Sequence, residues 1–293
     1  MKRMLPRLLG AYLNVLTLIF PRIAARKGFY LFCTPLATPV KDHHHKFLNT
    51  AAKSSFEFEG ITIQTYRWGN GAKKILFLHG WQSHSFRWKN YIDSFSKEDY
   101  TLYALDAPAH GLSGGKYINL PVYSRVIEHF LLQGHPIHAV IGHSFGGFAS
   151  LYALYCNPLL PVERLVIMGT PGEAEDFIQF YRGMLGLSSR AMRVITGYFE
   201  KNLHHPPSFF SAVRFAKAIT VPGLIIHDEK DEEAPYRYAL QLHVAWSTSQ
   251  LITTSGLGHN LKSAQLVEKV INFLNVKVAK GFLISQDEKE VRM

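Results

Sequence analysis

Residues 142–146 read Gly-His-Ser-Phe-Gly, a serine held between two glycines in the pattern G-x-S-x-G. A serine hydroxyl attacks an acyl carbon when a neighbouring base takes its proton, so the pattern points to nucleophilic acyl chemistry at Ser144. The apolar residues 138–141 precede the motif and the helix-forming residues 149–155 follow it. That is the strand, sharp turn and helix setting of a nucleophile elbow. The glycines, with Gly147 beside them, are needed where backbone segments approach too closely for a Cβ and where Ser144 is held strained. The base has to be a histidine, and a carboxylate has to orient its ring and stabilise its charged form. The chain holds 15 histidines, and Ser144 needs one. His43-His44-His45 and His204-His205 raise metal binding as another chemistry. Adjacent histidines in a loop or strand do not converge on one ion, and no cysteine or acidic partner is spaced with them, so no metal or other cofactor is expected.

The elements that must position these residues follow from periodicity. Phe56, Phe58, Ile61, Ile63 and Tyr66 alternate around Gly60, which predicts a hairpin over residues 54–68. Residues 73–79 form a short continuous apolar run, as in a strand of a buried parallel sheet. Further strands are expected at residues 100–105, 138–142, 164–168, 223–227 and 250–253. Helical spacing is found at residues 86–95, 120–132, 145–155, 236–244 and 261–273. Strands alternating with helices predict an α/β fold, a mostly parallel sheet with helices on both faces. Residues 171–216 break the alternation. They are rich in aromatic residues and methionine and predict several short helices without a strand, read as an inserted helical cap. The expected division is a helical N-terminal extension over residues 1–50 and the α/β body with its cap over residues 51–293. The charged tail after Phe282 is expected to be loose.

Five pieces of the chain then carry a resemblance, in this order: LFLHGW (residues 76–81), LDAPAHGLS (105–113), IGHSFGG (141–147), VPGLIIHDEKDEEAP (221–235) and GLGHN (256–260). Together, over residues 56–273, they resemble the α/β-hydrolase fold family, in its serine esterase and lipase-like form with a helical cap. Ala109 departs from the pattern, standing where that family's D-x-x-G-H-G-x-S loop usually has its first glycine. The resemblance implies Ser144 as nucleophile, His259 as base and Asp231 as the orienting acid, in the chain order of this fold. It implies an oxyanion hole made of the Trp81 and Phe145 backbone N–H groups. Asp228 is the competing acid, at the strand end where the family often places glycine, whereas Asp231 lies in the loop shortly before Pro235. Asp106 is implied to organise its loop, and His79 and His110 to be structural. His143 is expected to point away from the site, and Glu229, Glu232 and Glu233 to be solvated. A serine at the elbow disfavours the haloalkane dehalogenases and epoxide hydrolases of this fold, which use aspartate there. The implied function is cleavage of a carboxylic ester of a small or medium, largely apolar acyl group through an acyl-enzyme. A thioesterase or acyltransferase, or a catalytically silent membrane-associated binding protein, remain the alternatives.

Composition narrows the partners. The net charge is +10, but residues 1–41 hold seven Lys and Arg and no Asp or Glu, so +7 of it sits at the N-terminus. A nearly balanced body without a basic stripe or a reading motif argues against nucleic acid. Cys33 and Cys156 match no disulfide framework and read as thiols of a reducing, cytoplasmic compartment. No apolar run reaches the length of a spanning helix. Leu5, Leu8, Leu9, Tyr12, Leu13, Leu16, Ile19, Phe20 and Ile23 recur at helical steps, with Arg3, Arg7, Gly10, Asn14, Thr17 and Pro21 on the other face. Three readings compete for residues 1–24: a secretory signal, a basic amphipathic helix lying on an anionic membrane, and a helix docked on the body through its own apolar surface. The sequence gives no indication of oligomeric state.

Overall fold

Pro21 decides how the chain begins. In the computed structural model, which describes residues 4–134 and 136–276, the apolar stretch is two helices rather than one, α1 (Met4–Ile19) and α2 (Pro21–Cys33). The chain breaks at Phe20, and Pro21 takes the first turn of α2, where its missing N–H costs no hydrogen bond. The tail after Phe282 lies outside the described residues, as do Lys2 and Arg3. His43, His44 and His45 belong to neither a loop nor a strand but to a short helix, α3 (Asp42–Leu48), with Phe47 and Leu48 buried beneath it. His44 stacks on Phe86 with ring centroids 4.1 Å apart.

The hairpin forms from β1 (Ala52–Phe58) and β2 (Ile61–Trp68), with Phe56 opposite Ile63. Glu59 and Gly60 make its two-residue turn, both at positive φ (48° and 76°), which matches the right-handed twist of the strands. The body then runs β3 (Lys73–Leu78), a 3-10 turn (Ser85–Trp88), α4 (Lys89–Ser94), β4 (Tyr100–Leu105), α5 (Leu120–Leu132), β5 (Ala139–His143), α6 (Phe145–Cys156) and β6 (Leu165–Met168). Next come α7 (Ala174–Leu185), α8 (Ser189–Leu203) and α9 (Ala212–Ala216), and then β7 (Gly223–Asp228), α10 (Arg237–Ala245), β8 (Ser249–Thr254) and α11 (Ala264–Asn275). The strands form one eight-stranded sheet in the order β1-β2-β4-β3-β5-β6-β7-β8. Strands β3 to β8 are parallel, and β2 joins them antiparallel to β4. Between residues 171 and 216 the only pairing among the described residues is an isolated bridge, Glu173 to Ser211.

The pleat sorts the core. Leu76 and Leu78 of β3 face one side, with Tyr123 and Val126 of α5 and Phe148 and Leu151 of α6. Ile75 and Phe77 face the other, with Trp88, Tyr91 of α4, and Val270 and Phe273 of α11. Both faces are covered, as a parallel sheet requires. A third apolar cluster lies away from the sheet, where Leu13 of α1 and Phe29 and Cys33 of α2 meet Tyr181 and Leu185 of α7 and Ile195 and Phe199 of α8. The final helix starts at Ala264 rather than at residue 261, because Leu261 is buried in the left-handed region (φ 50°) and ends a loop.

Candidate active site

Ser144 sits at the turn from β5 into α6 with φ 50° and ψ −119°, a conformation that a non-glycine residue adopts only under constraint. Its N–H donates to the Met168 carbonyl of β6 at 2.8 Å, which anchors the turn to the neighbouring strand. The glycines around it are required by contact. A Cβ on Gly142 would fall 2.6 Å from the Gly147 nitrogen, one on Gly146 2.4 Å from the Leu78 carbonyl oxygen, and one on Gly147 2.2 Å from Thr170 Oγ1. The Phe145 N–H opens α6, so it carries the positive end of that helix's dipole. Among the described residues, neither the Phe145 N–H nor the Trp81 N–H takes part in a loop or turn hydrogen bond. Their rings lie 5.8 Å apart, centroid to centroid.

The loop that carries Trp81 is fixed by buried polar groups. The Ala107 N–H donates to His79 Nε2 at 2.9 Å, and His79 Nδ1–H therefore donates to the Gly80 carbonyl at 2.7 Å. His110 accepts from the Gln82 N–H at 3.0 Å. Asp106, fully buried, accepts from the Ser85 N–H and hydroxyl on one oxygen and from Tyr66 and the Leu112 N–H on the other. His79, His110 and Asp106 thus hold backbone, as the resemblance implies. Burial pushes the His79 pKa well below the usual histidine range, and burial also lowers that of His110.

His259 and Asp231 meet across the ends of β7 and β8. His259 Nδ1–H donates to Asp231 Oδ2 at 2.8 Å, and Asp231 Oδ1 accepts the Glu233 and Ala234 N–H groups at 2.9 and 2.8 Å. Burial alone would raise the Asp231 pKa. The hydrogen bonds from His259 and the Ala234 N–H, with the His227 ring beside the carboxyl, outweigh it and hold the carboxyl far below the usual carboxylate range. Bonding at Nδ1 leaves His259 Nε2 as the free basic nitrogen. That atom lies 3.7 Å from Glu233 Oε2, although the Glu233 side chain is mostly exposed. The Ser144 hydroxyl makes no hydrogen bond among the described residues.

Asp228 is the strand-end carboxylate, and it is turned toward backbone. It accepts from the Lys230, Gly256 and Leu257 N–H groups and the Thr254 hydroxyl, at 2.7 to 3.1 Å. These bonds outweigh burial and lower its pKa to about 2. It therefore ties the loop after β7 to the loop that leads to His259, without touching the His259 ring.

Two histidines carry more than their motif positions suggest. His143 does not point away from the site. Its Nε2–H donates to the His259 carbonyl at 2.8 Å, and the two rings stand 4.9 Å apart. Burial, with the Arg87 guanidinium adding to it, holds its pKa well below the usual range. His227 donates to the Ala234 carbonyl at 2.7 Å and lies 3.4 Å from Asp231 Oδ2, bracing the acid's own loop. The sequence signal for both was position alone, a histidine at the C-terminal end of a buried strand. Gly169 completes the setting, since a Cβ there would lie 3.4 Å from His259 Nδ1. Among the described residues no group of His, Cys, Asp or Glu is arranged to hold a metal ion.

Comparison with known proteins agrees with this architecture. A sequence profile described as the alpha/beta hydrolase family matches residues 75–267. The chain is 26% identical to a monoacylglycerol lipase of Mycolicibacterium smegmatis over 199 residues, covering 55% of this chain and 71% of that one. It is 24% identical to a bifunctional esterase/perhydrolase of Acinetobacter calcoaceticus over 258 residues, covering 71% and 92%. A bromoperoxidase of Bacillus anthracis superposes with a TM-score of 0.61 at 16% identity, covering 76% of this chain and 99% of that one. An esterase of Exiguobacterium antarcticum does so with 0.58 at 17%, covering 74% and 97%. These structures share the fold. With the profile spanning most of the sheet and both ends of the site, the chain belongs to the alpha/beta hydrolase family.

Proposed function

We propose that the protein is a serine hydrolase that cleaves a carboxylic ester of a small or medium, largely apolar acyl group. Ser144 attacks the ester carbonyl, His259 Nε2 takes its proton, and Asp231 stabilises the resulting imidazolium. The Trp81 and Phe145 N–H groups receive the oxyanion. The alcohol leaves with the proton from His259, and water, activated by the same nitrogen, releases the acid from the acyl-enzyme. The observation that carries this reading is the 2.8 Å Asp231–His259 bond, whose loop is tied through His143 to the strained Ser144 turn. The Ser144 hydroxyl, free of hydrogen bonds among the described residues, would bond to His259 Nε2 in the substrate complex, where catalytic hydrogen bonds tighten. The aromatic side chains of Trp81 and Phe145 beside the elbow favour an apolar acyl group, with residues 171–216 acting as the cap over it. Two of the curated relatives are named for lipase and esterase activity, which supports the ester reading. The unpaired thiols of Cys33 and Cys156 suit a cytoplasmic setting.

The test is labelling by a fluorophosphonate probe, together with turnover of p-nitrophenyl esters of graded chain length. The wild-type chain should take the label and turn over. Ser144→Ala should take none and lose turnover by a factor on the order of 10⁶, as when such a unit is broken. A wild-type chain that neither labels nor turns over would favour the silent binding protein.

A further inference from the structure

α1 is mounted the wrong way round for a helix in water. Its buried positions are Gly10, Leu13 and Thr17, mostly the small and polar side that the sequence pattern assigns to solvent. A Cβ on Gly10 would fall 1.8 Å from the Leu185 carbonyl oxygen, so the helix backbone lies directly on the end of α7. Asn14 locks it there, donating to the Gly186 carbonyl and accepting from the Ser188 N–H at 3.0 and 2.8 Å. The apolar stripe Leu5, Leu8, Tyr12, Val15 and Ile19 faces outward along the whole helix, 48–65% exposed. The docked reading is thus realised through the other face, and the apolar surface that was to be covered by docking is left bare.

A continuous outward stripe of this kind on a folded chain marks a surface that meets something other than water. The charges identify it. Residues 1–41 contain no acidic side chain, and Arg22, Arg26 and Lys27 are exposed on the adjoining helix α2. Lys27 Nζ stands 5.4 Å above the ring of Tyr12, which places a cation at the edge of the stripe itself. Apolar residues flanked by an all-cationic rim match the boundary between acyl chains and anionic headgroups. A second copy of the chain would present the same positive rim to itself, and like charges would oppose that pairing. At 16 residues α1 is too short to cross a bilayer, so it would lie in the surface. We propose that α1, with the basic side of α2, docks the protein on an anionic membrane surface, the stripe inserted and the Gly10 face holding the body. This goes beyond the hydrolase reading and does not depend on it.

Flotation of the full chain with phosphatidylcholine vesicles, with and without phosphatidylglycerol, tests the proposal. The wild-type chain should float with the anionic vesicles, less well in high salt and less well on the neutral ones. The double substitution Leu8→Asp, Val15→Asp should cut binding more than tenfold while leaving the melting temperature unchanged, because both side chains point away from the body. Lys27→Glu should cut binding roughly fivefold or more, and only on anionic vesicles. A readout without a new charge is Leu8→Cys on a Cys156→Ser background, labelled with an environment-sensitive fluorophore. Its emission should move to the blue on adding anionic vesicles. The proposal fails if the wild-type chain stays unbound and the label does not shift. It also fails if the chain is a dimer in solution that the Asp pair dissociates, which would make a second copy the occupant.

Discussion

Asp231 accepts the His259 ring on one oxygen and two backbone N–H groups on the other, whereas all four donors to Asp228 are backbone amides and the Thr254 hydroxyl. The two carboxylates are three residues apart, and their substitution by Asn should separate them kinetically. Asp231→Asn removes the charge facing the imidazolium and favours the wrong tautomer, so turnover on one ester should fall by about 10⁴. Asp228→Asn leaves the ring contact intact but puts an NH₂ group against donors that fix the histidine loop. Its turnover should fall by about tenfold, through misplacement rather than lost charge. Measuring both on the same ester, with circular dichroism to check the fold, decides the assignment, and a reversed order would exchange the roles. The same comparison shows what the sequence could not carry. Asp231 was legible because its place relative to Pro235 and the strand follows a pattern. The loop-bracing work of Asp228, His143 and His227 was not, because it depends on backbone brought together from up to 116 residues away.

Strands and helices of the body were legible because each keeps one period and buries the face that period defines. The helix at residues 120–132 and the hairpin around Gly60 are found where the pattern puts them. The N-terminal stretch shows the limit. Its pattern reveals an amphipathic helix, but which face docks depends on the closeness that Gly10 allows and on the carbonyl ends of α7, neither of which is a property of α1 alone. The elbow is the opposite case, since close backbone contacts account for its glycines. Gly146 runs against the carbonyls of Leu78 and His79, where a Cβ would be 2.4 and 2.6 Å from backbone oxygens that belong to β3 and its loop. Neither neighbour is a flexible side-chain end. Gly146→Ala should therefore cost about 1–3 kcal/mol or more by overpacking. It should also push α6 away from the loop that carries Trp81 and lower turnover. Urea unfolding and turnover measured on the same preparation test this. A variant with wild-type stability and rate would mean that the elbow has room the contacts deny.

For the whole molecule, the balance of charge makes acid the condition under which the fold is most exposed. The chain carries 32 Lys and Arg against 22 Asp and Glu, and it also has 15 histidines, so protonating its carboxyls leaves a large uncompensated positive charge. Asp228 and Asp231 add a specific contribution, because both have pKa values depressed in the folded state. A depressed carboxyl lends stability that is complete above its unfolded pKa, near ~3.9, and is lost as pH falls through that value toward the folded one. For Asp228 the folded pKa is about 2, so the loss runs from about pH 4 to pH 2. The stability at stake is about 2–3 kcal/mol, the free-energy equivalent of a fall in pKa from ~3.9 to about 2 on a buried carboxylate. Asn imitates the protonated acid. Asp228→Asn should therefore be less stable than wild type by about that amount at pH 7, and the difference should shrink toward zero by about pH 2. Denaturant unfolding of both chains at pH 7, 4 and 2.5 measures it. A difference that stays constant over that range would mean that the loss comes from the geometry of the amide and not from the carboxylate charge. The loops of β7 and β8 would then be held together by shape alone.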